Sequence, residues 1–264
     1  LVFLVKKETI PVTLENAYRD RYLHLFGSFI SLKGKNTTAR EVEHILSAVY
    51  ALGIDDLVIE LLDGVSPTTD NCAAEFFCAL REVREQSSKK EFWVYKPNAE
   101  TSVESPKRGK LDSLTVKPSK EFVVSYYAYY PHKVVGPQIY RFEVNEDTYK
   151  NDIMQARSPA FIPDGIFNIA FWYLIKHGLI GINERNYLLI SSKEAEQYTN
   201  PDEFGVMYKG QEFVRHKVLD ALGALALTGR HFKNAEFNFF MTGHEFDLYA
   251  LKELMNKGVF VVSN

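Results

Sequence analysis

Two cysteines in 264 residues, Cys72 and Cys78, exclude a disulfide framework. At that spacing they point to different faces of a shared helix, so a bond between them is not expected either. So little cysteine fits a reducing, cytoplasmic setting. An excess of one charge is also missing: 31 Lys and Arg stand against 34 Asp and Glu, a net charge of −3. That balance excludes a generally basic nucleic-acid binder. No apolar run is long enough to cross a bilayer; the longest, from about Phe167 to Ile175, is broken by Asn168. The opening run Leu1 to Lys7 reads as one strand without the layout of a signal peptide. Its start at leucine reads as a fragment or a trimmed product. Neither a nucleic-acid partner nor an integral membrane segment is expected, and a monomer is favoured over an oligomer.

What is present is an ordinary globular composition, 46% hydrophobic and 25% charged, in a chain long enough for one large domain or two smaller ones. The first half reads as α+β. Thr38 and Glu41 have the spacing of a capping box, and Val42, Ile45, Leu46, Val49 and Tyr50 follow at the period of a buried helical face. Gly53 supplies a left-handed stop. Leu57 to Leu62 reads as a strand, and Cys72 to Glu85 as a helix with Ala73, Phe76, Phe77, Leu80 and Val83 inward. The proline-bearing stretch from about Ala99 to Gly109 is the expected linker. Beyond it, strands are expected at 121–130, 139–144, 187–190 and 236–241, and helices at about 146–156, 165–177, 212–227 and 245–256.

The two halves share a weak likeness. Val42-Glu43-His44 precedes Glu75 to Leu80 by about the gap that separates Val214-Arg215-His216 from Glu245 to Leu251. Helix, strand and helix recur with a histidine in the same place. Two related domains whose first helices face each other would bring His44 and His216 together. His216 and Asp220, at i and i+4, leave one helix face and match two corners of a tetrahedral zinc site, or equally a plain surface hydrogen bond. Glu43-His44 has the same ambiguity. His244 follows Thr242-Gly243 at a strand-to-helix turn, where side chains often point into a site.

Together these residues form a recognisable pattern. Glu212-Phe213-Val214-Arg215-His216-Lys217 with Leu219-Asp220 and Gly223 resembles the EFVRHKxLDxxG block of the UDP-3-O-acyl-N-acetylglucosamine deacetylases, zinc enzymes of lipid A synthesis. Val42-Glu43-His44 through Leu52-Gly53-Ile54-Asp55 is similar to that family's VEHxLxALxxLGID. Supporting blocks are Thr69 to Phe76, Val135 to Gln138, Gln155 to Ser158 and Thr242-Gly243-His244, all in family order. The resemblance implies an α+β fold of two similar domains, at 1–105 and 106–264, with helices sandwiched between two sheets. It implies zinc held by His44, His216 and Asp220, with Glu43 as general base. His244 becomes the acid or oxyanion stabiliser in protonated form, Lys217 a positive charge near the substrate, and Ser158 an oxyanion donor. The substrate implied is a UDP-linked acylated amino sugar that loses its N-acetyl group. An apolar insert near 162–185 would carry the acyl passage, through Ile166, Phe167, Ile169, Phe171, Leu174, Leu179 and Ile180. A core helix packed on a sheet explains the same seven residues.

The departures are specific. Strands that precede Val2 in the family are missing here. Ala224 stands where the family has an aspartate that orients the catalytic histidine, with Asp70 and Asp247 as possible substitutes. Ser158 replaces a threonine, Gly181-Ile182-Asn183 replaces a GGS-like turn, and Tyr129-Tyr130-Pro131-His132 scrambles an NHP. The alternative to an active deacetylase is a weakened or inactive relative that binds zinc and a lipid or nucleotide-sugar ligand.

Overall fold

The computed structural model describes residues 1–21, 28–67, 70–85, 90–130, 135–161, 166–177, 186–190 and 211–263. The fold is α+β. In the first half, β1 (Val2–Val5) pairs antiparallel with β2 (Glu8–Pro11) and parallel with β6 (Val58–Leu61). Alternation along these strands buries Phe3, Val5, Ile10, Ile59 and Leu61. A second small sheet joins β3 (Ala17–Asp20), β4 (Phe29–Lys33) and β5 (Thr38–Ala39).

The capping box expected at Thr38 and Glu41 does not form. Thr38 is drawn into the ladder opposite Lys33, and Glu41 adopts φ 57°. Helix α1 (Glu43–Ala51) begins after Val42 with no side-chain cap. Gly53, at φ 65°, ends it in the left-handed conformation its sequence position implied. A capping box does occur at α3 (Glu146–Asp152), where Asn145 accepts from the Thr148 amide and Thr148 Oγ1 from that of Asn145. Helix α2 (Ala74–Val83) buries Phe77 as expected, but Val83 in its last turn is exposed.

The second half is built on a five-stranded sheet ordered β11-β10-β15-β9-β8. Its members are β8 (Thr101–Ser105), β9 (Gly109–Pro118), β10 (Val123–Tyr130), β11 (Gly136–Glu143) and β15 (Ala235–Phe240). The expected linker is therefore a hairpin: β8 pairs with β9, and β9 with the distant β15. A long-range ladder, which local composition does not encode, overrides the polar character of this stretch. Strands β7 (Phe92–Tyr95), β14 (His231–Lys233) and β16 (Phe260–Ser263) form a further sheet, and β12 (Pro159–Phe161) lies parallel to β13 (Leu188–Ile190). The remaining helices are α4 (Ile166–Lys176), α5 (Glu212–Ala226) and α6 (His244–Asn256).

The two halves repeat a strand pattern. In each, a hairpin (β1-β2 or β10-β11) is joined on the side of its first strand by a parallel strand (β6 or β15). In each, a helix precedes that added strand and another follows it.

Helices α1 and α5 pack along each other, and nearly every residue of both is buried. A helix apolar on all sides is stable only when surrounded in this way. The two hydroxyls this buries on α1 are both matched: Ser47 meets the Tyr149 hydroxyl at 2.9 Å, and the Tyr50 hydroxyl accepts the Phe232 amide at 3.1 Å. Close approach depends on Gly223: a β-carbon there would stand 2.3 Å from the Glu43 carbonyl oxygen.

Candidate metal centre

The α1–α5 contact sets the chemistry. Glu43 and His44 occupy the first turn of α1, directly against the Gly223 region of α5. His216 and Asp220, one turn apart on α5, present to the same space. The His44 and His216 rings meet edge to face with centroids 5.1 Å apart. One nitrogen of each and one Asp220 oxygen lie within 4.8 Å of one another. His244, the first residue of α6, closes the cluster with Nε2 3.9 Å from Asp220 Oδ2.

Three of these side chains, His216, Asp220 and Glu43, are held from behind. His216 Nδ1 lies 2.9 Å from the Ala156 carbonyl, which only accepts, so Nδ1 carries the proton and Nε2 presents its lone pair. Ser158 Oγ, 3.0 Å from Nε2, donates to that lone pair. Asp220 Oδ2 accepts from Lys217 Nζ at 2.7 Å, while Oδ1 is buried without a hydrogen bond. Glu43 Oε2 accepts the Ile30 amide of β4 at 3.0 Å.

A buried carboxylate oxygen left unsatisfied is costly, and it needs an explanation. Oδ1 lies 3.3 Å from His216 Nε2 and 3.9 Å from His44 Nε2. A divalent cation satisfies all three atoms at once. Two imidazoles and one carboxylate are a set that zinc takes in hydrolytic sites, with a fourth position left for water. The residues fit the ion.

The electrostatics agree with that assignment. Burial lowers His44 to about 3, so it is a neutral imidazole through the physiological range, able to offer a lone pair. Burial also works to raise Asp220, but His216 and Lys217 outweigh it and hold the carboxyl ionised. For Lys217 burial favours the neutral amine, yet Asp220 keeps it charged and raises it. Glu43 is pushed well above the usual carboxylate range, by burial first and then by Asp220. Burial lowers His244 to about 4 against the pull of Asp220. With no cation bound, His244 is therefore neutral near pH 7.

These groups open into a cavity of about 640 Å³ with Arg19, Lys107 and Arg108 at its rim. The residues expected at the centre, Glu43, His44, Ser158, His216, Lys217, Asp220 and His244, all line it. Of the residues expected for an acyl passage, the described side chains Phe167, Ile169, Phe171 and Leu174 do not line this cavity. On α4, Phe167 and Ile169 are exposed and Phe171 and Leu174 are half-buried, and other elements line the cavity. The Ile166 side chain, Leu179 and Ile180 lie outside the described residues, as do Gly181-Ile182-Asn183 and Pro131-His132.

Several participants gave no sign in the sequence. The Ala156 carbonyl and the Ile30 amide are backbone groups without residue-type identity. Arg19 reaches the rim from the first half and pairs with Glu245 at 3.0 Å, and Lys107 meets the same carboxylate at 2.6 Å. The adjacent basic residues Lys107-Arg108 are the one trace that was available.

The whole chain is also similar to known proteins. The chain is 32% identical to a UDP-3-O-acyl-N-acetylglucosamine deacetylase of Aliarcobacter butzleri over 83% of its length and 66% of the relative's. Proteins of the same name from Nautilia profundicola (29% identity, 84% of this chain, 70% of the relative) and Syntrophus aciditrophicus (27%, 97% and 76%) are also similar. The chain thus spans about two thirds to three quarters of the length of these relatives. Residues 4–256 match the family described as UDP-3-O-acyl N-acetylglycosamine deacetylase. The chain belongs to that family.

Proposed function

We propose that this chain is a zinc-dependent hydrolase that removes the N-acetyl group from a UDP-3-O-acyl-N-acetylglucosamine in lipid A biosynthesis, working in the cytoplasm as a monomer. The observation that carries this reading is the unsatisfied Asp220 Oδ1 beside His44 and His216, with Glu43 at the same helix contact.

Held by His44, His216 and Asp220, zinc would supply Lewis-acid polarisation of the acetamide carbonyl and acidify a water. Glu43, raised well above the usual carboxylate range by burial and oriented by the Ile30 amide, takes the proton of the attacking water. With His216 Nε2 given over to a metal, the Ser158 hydroxyl would keep only the Asn71 carbonyl at 3.4 Å as an acceptor and would turn to donate to the developing oxyanion. Lys217, held charged by Asp220, adds positive potential to the same space. His244, in its protonated form, delivers a proton to the amine as the C–N bond breaks, leaving acetate and the free amino sugar.

We assign the acyl chain to α4 and the apolar segment that follows it, with Ile166, Phe167, Ile169, Phe171, Leu174, Leu179 and Ile180 as its contacts. The apolar side chains that Phe167 and Ile169 expose support this. We also propose two related domains, with β8 grouped with the second because it shares that sheet; the repeated strand pattern supports this. No helix among the described residues is long and apolar enough to cross a membrane.

A weakened relative that binds zinc and its ligand without efficient turnover is the second reading. It is favoured by one observation: His244 Nδ1 is buried with no hydrogen-bond partner, and Ala224 brings no carboxylate to it.

Acetate release from a UDP-3-O-acyl-N-acetylglucosamine by the zinc-loaded protein tests the proposal. Turnover is expected, falling about 10²- to 10⁴-fold in Glu43→Gln with zinc retained. A substrate shortened to a 3-O-acetyl group should lose kcat/KM steeply, since each buried methylene contributes about 0.8 kcal/mol. No acetate from the wild-type protein would contradict the hydrolase reading, and chain-length independence would contradict the acyl assignment.

A further inference from the structure

Arg157 and Glu212 form an ion pair that is 5% and 1% exposed and does not line the cavity. Glu212 grips both the side chain and the backbone of residue 157. Its Oε1 accepts from Arg157 Nε at 2.7 Å and from the Arg157 amide at 3.0 Å, and its Oε2 accepts from Nη2 at 3.0 Å. The residues on either side of Arg157 both hydrogen-bond the His216 ring: the Ala156 carbonyl at Nδ1 and the Ser158 hydroxyl at Nε2.

Residues 156–158 belong to no helix or strand. Regular hydrogen bonding therefore does not fix the Ala156 carbonyl in space. Glu212 and His216 are at i and i+4, so one face of α5 holds three consecutive residues of this segment. The Asn71 carbonyl adds a third anchor, accepting the Ser158 amide at 3.0 Å. A buried ion pair is weak evidence of stabilisation, because desolvating both charges offsets their attraction. Its placement here has a local consequence instead.

We infer that Glu212 and Arg157 are positioning residues for His216: by fixing residues 156–158 they impose the Nδ1–H tautomer and aim the Nε2 lone pair at the metal position. The inference rests on the proposed role of His216 as a ligand. Hydrogen bonds behind a ligating histidine typically govern metal affinity 10- to 100-fold. Here that control is transmitted through a backbone carbonyl held by the ion pair.

Two variants test this. Arg157→Lys keeps the charge but loses the planar fork that engages both carboxylate oxygens. Arg157→Met combined with Glu212→Leu replaces the pair with apolar side chains, a change that buried pairs often tolerate without loss of stability. Zinc affinity is measured by chelator competition, and the ring nitrogens of His216 are followed by ¹⁵N NMR in zinc-free protein. The wild type should show a single Nδ1–H tautomer. The variants should show a mixture of tautomers and a zinc Kd raised 10- to 100-fold, with cooperative unfolding retained. A folded variant that keeps both the wild-type tautomer and the wild-type Kd overturns the inference, and Arg157→Lys decides it if the apolar pair does not fold. Wild-type protein that binds no zinc would instead defeat the ligand assignment, leaving the zinc-free tautomer comparison to judge the positioning role by itself.

Discussion

His244 enters the site with half of its imidazole unsupported. Nδ1 is buried without a hydrogen bond, and burial lowers the ring to about 4. The nearby carboxylate that opposes this is Asp220, which is already engaged by Lys217. Asp247, in the first turn of α6, is itself raised to about 6 by burial, although Thr242 and Lys217 act to lower it. An activity that needs protonated His244 declines as pH rises through the pKa of that histidine. A carboxylate beside the ring favours the charged form and moves that decline to higher pH. Ala224→Asp should therefore raise kcat/KM and shift the alkaline limb upward in pH–rate profiles. A folded variant with neither change would show that another group fills the role, or that His244 is not the acid.

Elements are where reading the sequence succeeded and failed for identifiable reasons. α1, α5 and α6 were legible because a 3.6-residue apolar period, or a motif spaced by it, is a local property. So was the i, i+4 pairing of His216 with Asp220, and with it half of the site. The β8-β9 hairpin was not, since its strands are polar on the outer face and are specified by a ladder with β15, over a hundred residues away. The false capping box failed similarly, with Thr38 claimed by β4. Within the site, the Ile30 amide and the Ala156 carbonyl were invisible because backbone groups carry no residue-type signal. The contact that joins the helices has a sharp test. A β-carbon at residue 223 meets the Glu43 carbonyl at 2.3 Å, so Gly223→Ala must part α1 from α5. Overpacking of this kind costs about 1–3 kcal/mol. Urea unfolding should show that loss, and zinc should bind more weakly because Glu43 and His44 move relative to His216 and Asp220. Unchanged stability and affinity would mean that the helix contact does not set the site.

At the scale of the molecule, the repeated strand pattern lets one half supply what the other lacks. α1 brings a carboxyl and one imidazole, and α5 brings an imidazole and a carboxylate; the cluster of His44, His216 and Asp220 draws on both helices. A metal bound across this contact should also stabilise the fold, since binding to the native state alone adds RT ln(1 + [L]/Kd). The central claim is that one zinc ion is shared between the halves. It is tested most directly by metal content and zinc affinity of the purified protein beside His44→Ala and His216→Ala, one ligand removed from each half. About one zinc per wild-type chain is expected, with sharply weaker binding in both variants and the fold intact. Wild-type stoichiometry and affinity in either folded variant would contradict it.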